Sequence, residues 1–426
     1  MTTPHGAATP NPADEPAAPD PNEPPRNRSH PDSAVDRRLP RDIWVLISAA
    51  FVIAIGYGLI APILPQFANS FALSYSSAGA VVAAFAAFRL AWATPAGLLV
   101  QRLGERKVYM TGVLIVAASS AATAFAHSYW QLLIFRALGG IGSVMFTIAA
   151  VGLLVKLSPA HMRGKVSAAY GATFLIGNIT GPVLGGFLAE ISIQVPFLVY
   201  AAALAVAAAL IAILLPKPPA PDDAAPSLPP LTFREAWADP AYRASISTAF
   251  ANGWANFGVR ISVVPLFVGA MISDGASAAG IVMAAFAAGN AAMLPFSSRF
   301  ADAVGRRPLI IGGALVAGTF TMLFGLAPNL IALSALSVIS GAGVGALNPA
   351  QQAVLADVIG SQRSAGPVIS TFQMVADVGA ILGPVIGGLI ADQLGFEWAF
   401  ALTGMILLVA VIPWSRTGDT LHRAAA

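Results

Sequence analysis

Residues 177–186 read GNITGPVLGG, and residues 379–388 read GAILGPVIGG. Both carry G-x-x-x-G-P-x-x-G-G, and they stand 202 positions apart in a chain of 426 residues. The pairing is not isolated. AAFAA occupies 83–87 and again 284–288. Gly79 pairs with Gly280, Pro65 and Phe67 with Pro265 and Phe267, and Gly140 and Gly142 with Gly341 and Gly343. LLVQRLGERK at 98–107 lines up with RFADAVGRRP at 299–308. These offsets all lie between 200 and 202, so the chain is a duplicated unit.

Composition says what kind of unit. Hydrophobic residues make up 57% and charged residues 10%, where soluble domains carry about 25% charged. Mean hydropathy is +0.74. Such a chain cannot cover a water-facing surface, but it can face lipid. It has no cysteine, which removes disulfides and thiolate metal sites. A net charge of +3 gives a nucleic-acid reading no support.

A helix that crosses a bilayer needs about 20 apolar residues. Twelve segments qualify, six on each side of the polar stretch KPPAPDDAAPSLPP at 217–230. The expected fold is all-α: twelve transmembrane helices in two pseudo-symmetric bundles of six. The expected organisation is a disordered cytoplasmic tail at 1–41, an N-terminal bundle at 42–216, a central cytoplasmic loop at 217–242, a C-terminal bundle at 243–415 and a cytoplasmic tail at 416–426. The odd-numbered connections hold no Lys or Arg. The even ones hold Arg102, Arg106, Lys107, Lys156, Arg306 and Arg307 among others. By the positive-inside rule both termini are cytoplasmic. Six is an even number, so both copies enter the membrane in the same sense and form a parallel repeat, with a cavity expected between them.

In GPVLGG and GPVIGG, Gly181, Pro182, Gly383 and Pro384 fall inside spans 5 and 11. Glycines four apart admit a close neighbour, and proline removes a backbone hydrogen bond and bends the helix. A bent, glycine-faced helix can rock. In these residues and the loops around them, the chain resembles the major facilitator superfamily of secondary transporters. GLLVQRLGERK at 97–107 is similar to that superfamily's signature loop between spans 2 and 3, with Gly97, Leu99, Arg102, Gly104 and Lys107 matching and Gln101 standing where the motif has Asp. SRFADAVGRR at 298–307 is the second copy and keeps the acid as Asp302, beside Gly305 and Arg306. FRALGGIGS at 135–143 resembles the span 4 pattern, with Arg136, Gly140 and Gly142. The span 5 G-P-x-x-G-G and GLIAPILP at 58–65 resemble the twelve-span drug/proton antiporter branch. The resemblance covers about residues 42–415.

Ionisable residues deep in a span are costly and mark function. Arg89, Arg136, Arg260 and Asp377 are the candidates, and they break the repeat. Asp377 aligns with Leu175, Arg260 with Ile60, Arg136 with Ser337 and Arg89 with Asn290. Thr248, Asn252, Asn256 and Arg260 are four apart and form one helical stripe, while Ser370, Gln373 and Asp377 form another. A single polar side chain in lipid commonly bonds a neighbouring helix, at about 0.6 kcal/mol. A stripe ending in a charge points instead to a water-filled cavity.

The expectation is proton-coupled efflux of small amphipathic compounds, with Asp377, Arg260 and Arg136 in coupling. A carboxyl that meets and leaves an arginine in turn can bind and release a proton. Substrate contacts are expected from Arg89, Asn252, Asn256, Asn290, Gln373, Tyr57, Trp92 and Trp254, with Phe88, Phe146 and Phe257 as further aromatics. One alternative is transport of an organic anion or metabolite, since the core carries three arginines against one aspartate. Another is a membrane sensor or scaffold on the same fold. No cofactor, metal or nucleic acid is expected, and no nucleophile–base set points to an enzyme. Expected partners are a small-molecule substrate, protons and the lipid bilayer. The chain is expected to be a monomer in a bacterial plasma membrane. Asn178-Ile179-Thr180 reads as a false glycosylation acceptor, because it lies in a span.

Overall fold

The structure, a computed structural model, describes residues 40–71, 74–158, 163–215, 231–271, 275–359 and 366–420. The tail over 1–39, the polar stretch at 217–230 and residues 421–426 lie outside them. The described residues hold helices and no strand. Twelve helices are long and apolar enough to cross a membrane. Spans 1 to 6 are Arg41–Asn69, Tyr75–Leu103, Glu105–Ala124, Tyr129–Leu154, Ala172–Ile191 and Val195–Leu214. Spans 7 to 12 are Pro240–Met271, Ala276–Ser297, Arg306–Leu326, Leu330–Ile359, Val368–Gln393 and Phe396–Ser415. They form the two bundles of six that the repeat requires.

Glycine decides how close the spans come, and it does so twice. A Cβ on Gly112 would press the carbonyl of Gly142 in span 4, and one on Gly313 the carbonyl of Gly343 in span 10. Gly140 meets the backbone of Phe85, and Gly341 that of Phe286. The signature loops behave alike. Gly104 (φ 82°) and Gly305 (φ 109°) are the hinge residues between spans 2 and 3 and between spans 8 and 9. Those φ values disfavour side chains, so a one- or two-residue reversal there calls for glycine.

Two segments read as loop or tail are built into the second bundle. Residues 231–242 were expected to be loop, yet Phe233–Ala238 is helical. Thr232 and Glu235 form a reciprocal N-cap, which satisfies backbone donors at the start of so short a helix. Leu231 and Ala236 are buried beside Tyr242 and Val368. The described part of the expected 416–426 tail is likewise held. The Asp419 carboxylate accepts from the backbone N–H of Arg306 at 3.3 Å and of Arg307 at 3.1 Å. Thr420 donates to Asp357 at 2.6 Å, and Asp357 pairs with Arg306 at 2.6 Å. The start of span 9 offers free N–H groups, and an anion there is favoured by the helix dipole.

Candidate functional site

Between the bundles lies a cavity of about 230 Å³. Spans 1, 5, 7, 8 and 10 line it. Of the residues expected to touch substrate, Tyr57, Asn252, Asn256 and Asn290 reach it, with Phe257 and Arg260. Sequence reasoning missed Asn178, Met283, Phe286 and Asn348. The signal for Asn178 was present, since a carboxamide inside a span needs a polar destination. Its sequon context drew attention away.

Span 7 is irregular where it meets the cavity. Gly253–Val259 is a π-helix set between α-helical segments, a rare form that occurs frequently at functional sites. The expected four-residue stripe is split before the π-helix begins, between Thr248 and Asn252. Thr248 is buried and accepts from Gln351 of span 10 at 2.8 Å. Asn252, Asn256 and Arg260 stay together: Asn256 Nδ2 donates to Asn252 Oδ1 at 2.5 Å, and Arg260 Nε donates to Asn256 Oδ1 at 3.2 Å. Trp254 turns the other way. Its indole packs in the core of the second bundle and donates to Thr403 of span 12 at 3.2 Å, so it is not a cavity residue. Phe146 is also core, against Tyr109. Phe88 and Trp92 are exposed on span 2 and do not line the cavity.

Arg260 is buried, with its guanidinium 3.3 Å from the centre of the Phe286 ring and its Nη2 donating to Ser340 at 3.3 Å. It does not pair with Asp377. Its Nε and Nη2 are engaged by Asn256 and Ser340, and the cation within electrostatic reach of Asp377, without forming an ion pair, is Arg89 of span 2. Asp377 and Gln373 stand together on span 11, where Gln373 Nε2 donates to Asp377 Oδ1 at 3.4 Å. Neither lines the cavity. Arg89 donates to Ser143 at 2.7 Å. Arg136 lies 4.6 Å over Phe85, and among the described residues its buried Nε has no acceptor. Tyr57 lines the cavity and stands near Arg89, Arg136 and Asp377.

The G-P-x-x-G-G segments do two jobs. Gly181 and Gly383 pack within their own bundles. A Cβ on Gly181 would lie 2.5 Å from the Ile55 carbonyl of span 1, and one on Gly383 would lie 2.7 Å from the Trp254 carbonyl of span 7. The Pro182 and Pro384 rings pack on Gly58 and Gly258 of their own bundles, while their carbonyls face the opposite bundle, against Gly280 of span 8 and Gly79 of span 2. Gly186 and Gly388 also face it, against Ser277 and Ser76. Beyond them Asp392 accepts from the N–H groups of Tyr75 at 2.7 Å and Ser76 at 2.9 Å, and Tyr75 stacks on Phe396. Gln66 donates to the Pro265 carbonyl at 3.1 Å. These ties between the bundles all lie at the end that carries the odd connections. At the opposite end Arg102 is exposed, and the Asp302 side chain lies outside the described residues. A Cβ on Gly97 would meet nothing.

Residues 46–274 and 249–423 each match the family model described as Major Facilitator Superfamily. The chain belongs to that superfamily. Quinolone resistance protein NorA of Staphylococcus aureus (strain Mu50 / ATCC 700699) is 33% identical over 175 residues, 41% of this chain and 45% of that protein. That alignment thus spans less than half the relative's length. Multidrug resistance protein 1 of Bacillus subtilis (strain 168) is 26% identical over 379 residues, 87% of this chain and 96% of that protein. Among solved superfamily structures, a D-xylose-proton symporter superposes with a TM-score of 0.72 at 15% identity, covering 89% of this chain and 98% of that one. At that identity the likeness concerns the fold alone. The protein is therefore a multi-pass membrane protein of a transporter superfamily.

Proposed function

We propose that this chain is a secondary exporter of small amphipathic molecules, driven by proton antiport, with Asp377 as the proton-carrying group. The observation that carries the reading is the place of Asp377. It stands on span 11, the span that packs on span 2 across the two bundles, and the charge that acts on it, Arg89, comes from the other bundle. A rocking motion that parts spans 2 and 11 separates these charges, so proton binding and bundle movement are linked. The near-full-length likeness to a protein named for multidrug resistance supports export. The cavity mixes carboxamides with aromatic walls, which suits amphipathic cargo. Each inward proton supplies about 2.3 kcal/mol per 100 mV of membrane potential. We place the termini in the cytoplasm of a bacterial cell, on the charge asymmetry of the connections, and read the chain as a monomer without enzymatic activity.

The test uses inverted vesicles with an acidified lumen and a panel of cationic, neutral and anionic dyes. Wild-type protein should release luminal protons when a dye is added. Asp377→Asn should lose uphill accumulation and retain dye binding and downhill exchange. Uphill pumping by Asp377→Asn at the wild-type rate would sink the assignment.

A further inference from the structure

We infer that the cavity holds an oxyanion subsite built on Arg260, and that its preferred cargo is an aromatic carboxylate rather than an organic cation. The inference deepens the export reading and rests on its cavity being the substrate site. Three observations carry it. The first is charge. Arg260 lines the cavity, and the residues around that cavity include no carboxylate. A guanidinium keeps its charge at neutral pH, and a buried charge calls for a partner. The protein supplies none here, so a bound anion can.

The second is the way the guanidinium is held. Nε is fixed by Asn256, Nη2 by Ser340, and the flat face by Phe286. Among the described residues nothing accepts from Nη1. The side chain is thus immobilised with Nη1 unspent, beside the second hydrogen of Nη2. That pair of donors matches the two oxygens of a carboxylate.

The third is the polarity of the carboxamide chain. Asn256 Oδ1 takes the Arg260 proton, and Asn252 Oδ1 takes the Asn256 proton. Each acceptor oxygen already takes one proton from within the chain, and Asn252 Nδ2 is left as an outgoing donor on the same wall. The wall therefore presents donors, and donors select acceptors. Phe257, Met283 and Tyr57 supply apolar surface for a ring beside it.

The experiment measures equilibrium binding to purified wild-type protein in nanodiscs, without any gradient, of 2-naphthoate, 2-naphthamide and 2-naphthylmethylammonium. The three share a ring and differ in one group. Naphthoate should bind about tenfold or more tighter than the other two, the range expected for charge-assisted hydrogen bonds. Arg260→Gln should erase that preference, and Asn252→Ala should reduce it. If the amide or the ammonium binds wild-type protein as tightly as the carboxylate, the subsite does not exist; this comparison needs no variant to fold. A preference that survives Arg260→Gln also overturns the assignment. Because binding needs no proton gradient, a failure of dye-driven proton release in vesicles leaves this inference standing. Proton-coupled export of cations with no carboxylate preference defeats this inference alone.

Discussion

Arg136 and Arg260 occupy the same place in their two bundles without being equivalent in sequence. Each guanidinium lies over the phenylalanine of an AAFAA segment, Phe85 in one and Phe286 in the other. One arginine arrives from span 4 and the other from span 7. Their surroundings differ. Arg260 is tied by Asn256 and Ser340, whereas Arg136 has a buried Nε without an acceptor. A cation over a ring gains about 0.5–2 kcal/mol, while a buried donor left without an acceptor costs about 1–3 kcal/mol and more in a charged group. Arg136 is then retained against stability. Arg136→Met should raise or preserve the thermal unfolding temperature in detergent while transport falls. A lower unfolding temperature would give Arg136 a structural role instead. Aligning the repeat showed that the charges break it, and that is true residue by residue. The alignment could not show that span 7 delivers a guanidinium to the site that span 4 serves in the other bundle. Nor could it show that Asp377 answers to Arg89, because depth along a helix says nothing about which neighbour lies alongside.

Spans 5 and 11 carry the seam between the bundles. Their motif was legible as close packing, since glycines four apart have few other uses in a membrane. Its division of labour was not. The G-x-x-x-G face and the proline ring bind spans 1 and 7 within each bundle, and the proline carbonyl with the last glycine meets spans 8 and 2 of the other bundle. Span 11 then ends in Asp392, whose carboxylate caps the first turn of span 2. Charge at a helix N-terminus is worth about 0.3–1 kcal/mol, and up to about 2 in partly buried settings. Asp392→Asn should therefore loosen closure at this end. With a cysteine at Ala61 on the cavity wall, labelling by an impermeant thiol reagent from the odd-connection side should speed up about fivefold, the factor that 1 kcal/mol commands. An unchanged rate would remove the carboxylate from the closure.

At the scale of the whole chain, twelve spans and the twofold repeat were readable because both rest on many residues at once. Lipid demands long apolar helices, and duplication leaves matched positions in several spans. The ends of the bundle were less readable. A 416–426 tail was expected, and Asp419 and Thr420 instead fasten the start of span 9 to the end of span 10. Short polar segments look alike in sequence whether they dangle or cap. The positive-inside orientation yields a direct check in intact cells. Cysteines at His127 and Leu394, both exposed at the odd-connection end, should react with an impermeant reagent added outside, and one at Leu103 should not. Labelling of Leu103→Cys from outside would invert the topology.

The π-helix of span 7 also dates a step in the history of the chain. ISAAF at 47–51 corresponds to ISTAF at 246–250, an offset of 199. Gly58 and Pro65 correspond to Gly258 and Pro265, an offset of 200. One residue was therefore gained in the second copy, or lost from the first, between these markers. The wide turn at Gly253–Val259 is where span 7 accommodates the difference without shifting either end. Span 1, of the shorter length, runs as an unbroken α-helix over the same stretch. A single added residue would turn the rest of an α-helix by about 100°, and the wide turn absorbs that rotation before Arg260, the first residue of the α-helical segment that follows. The two halves thus differ along span 7 by one residue of length, beside the charges that set them apart elsewhere.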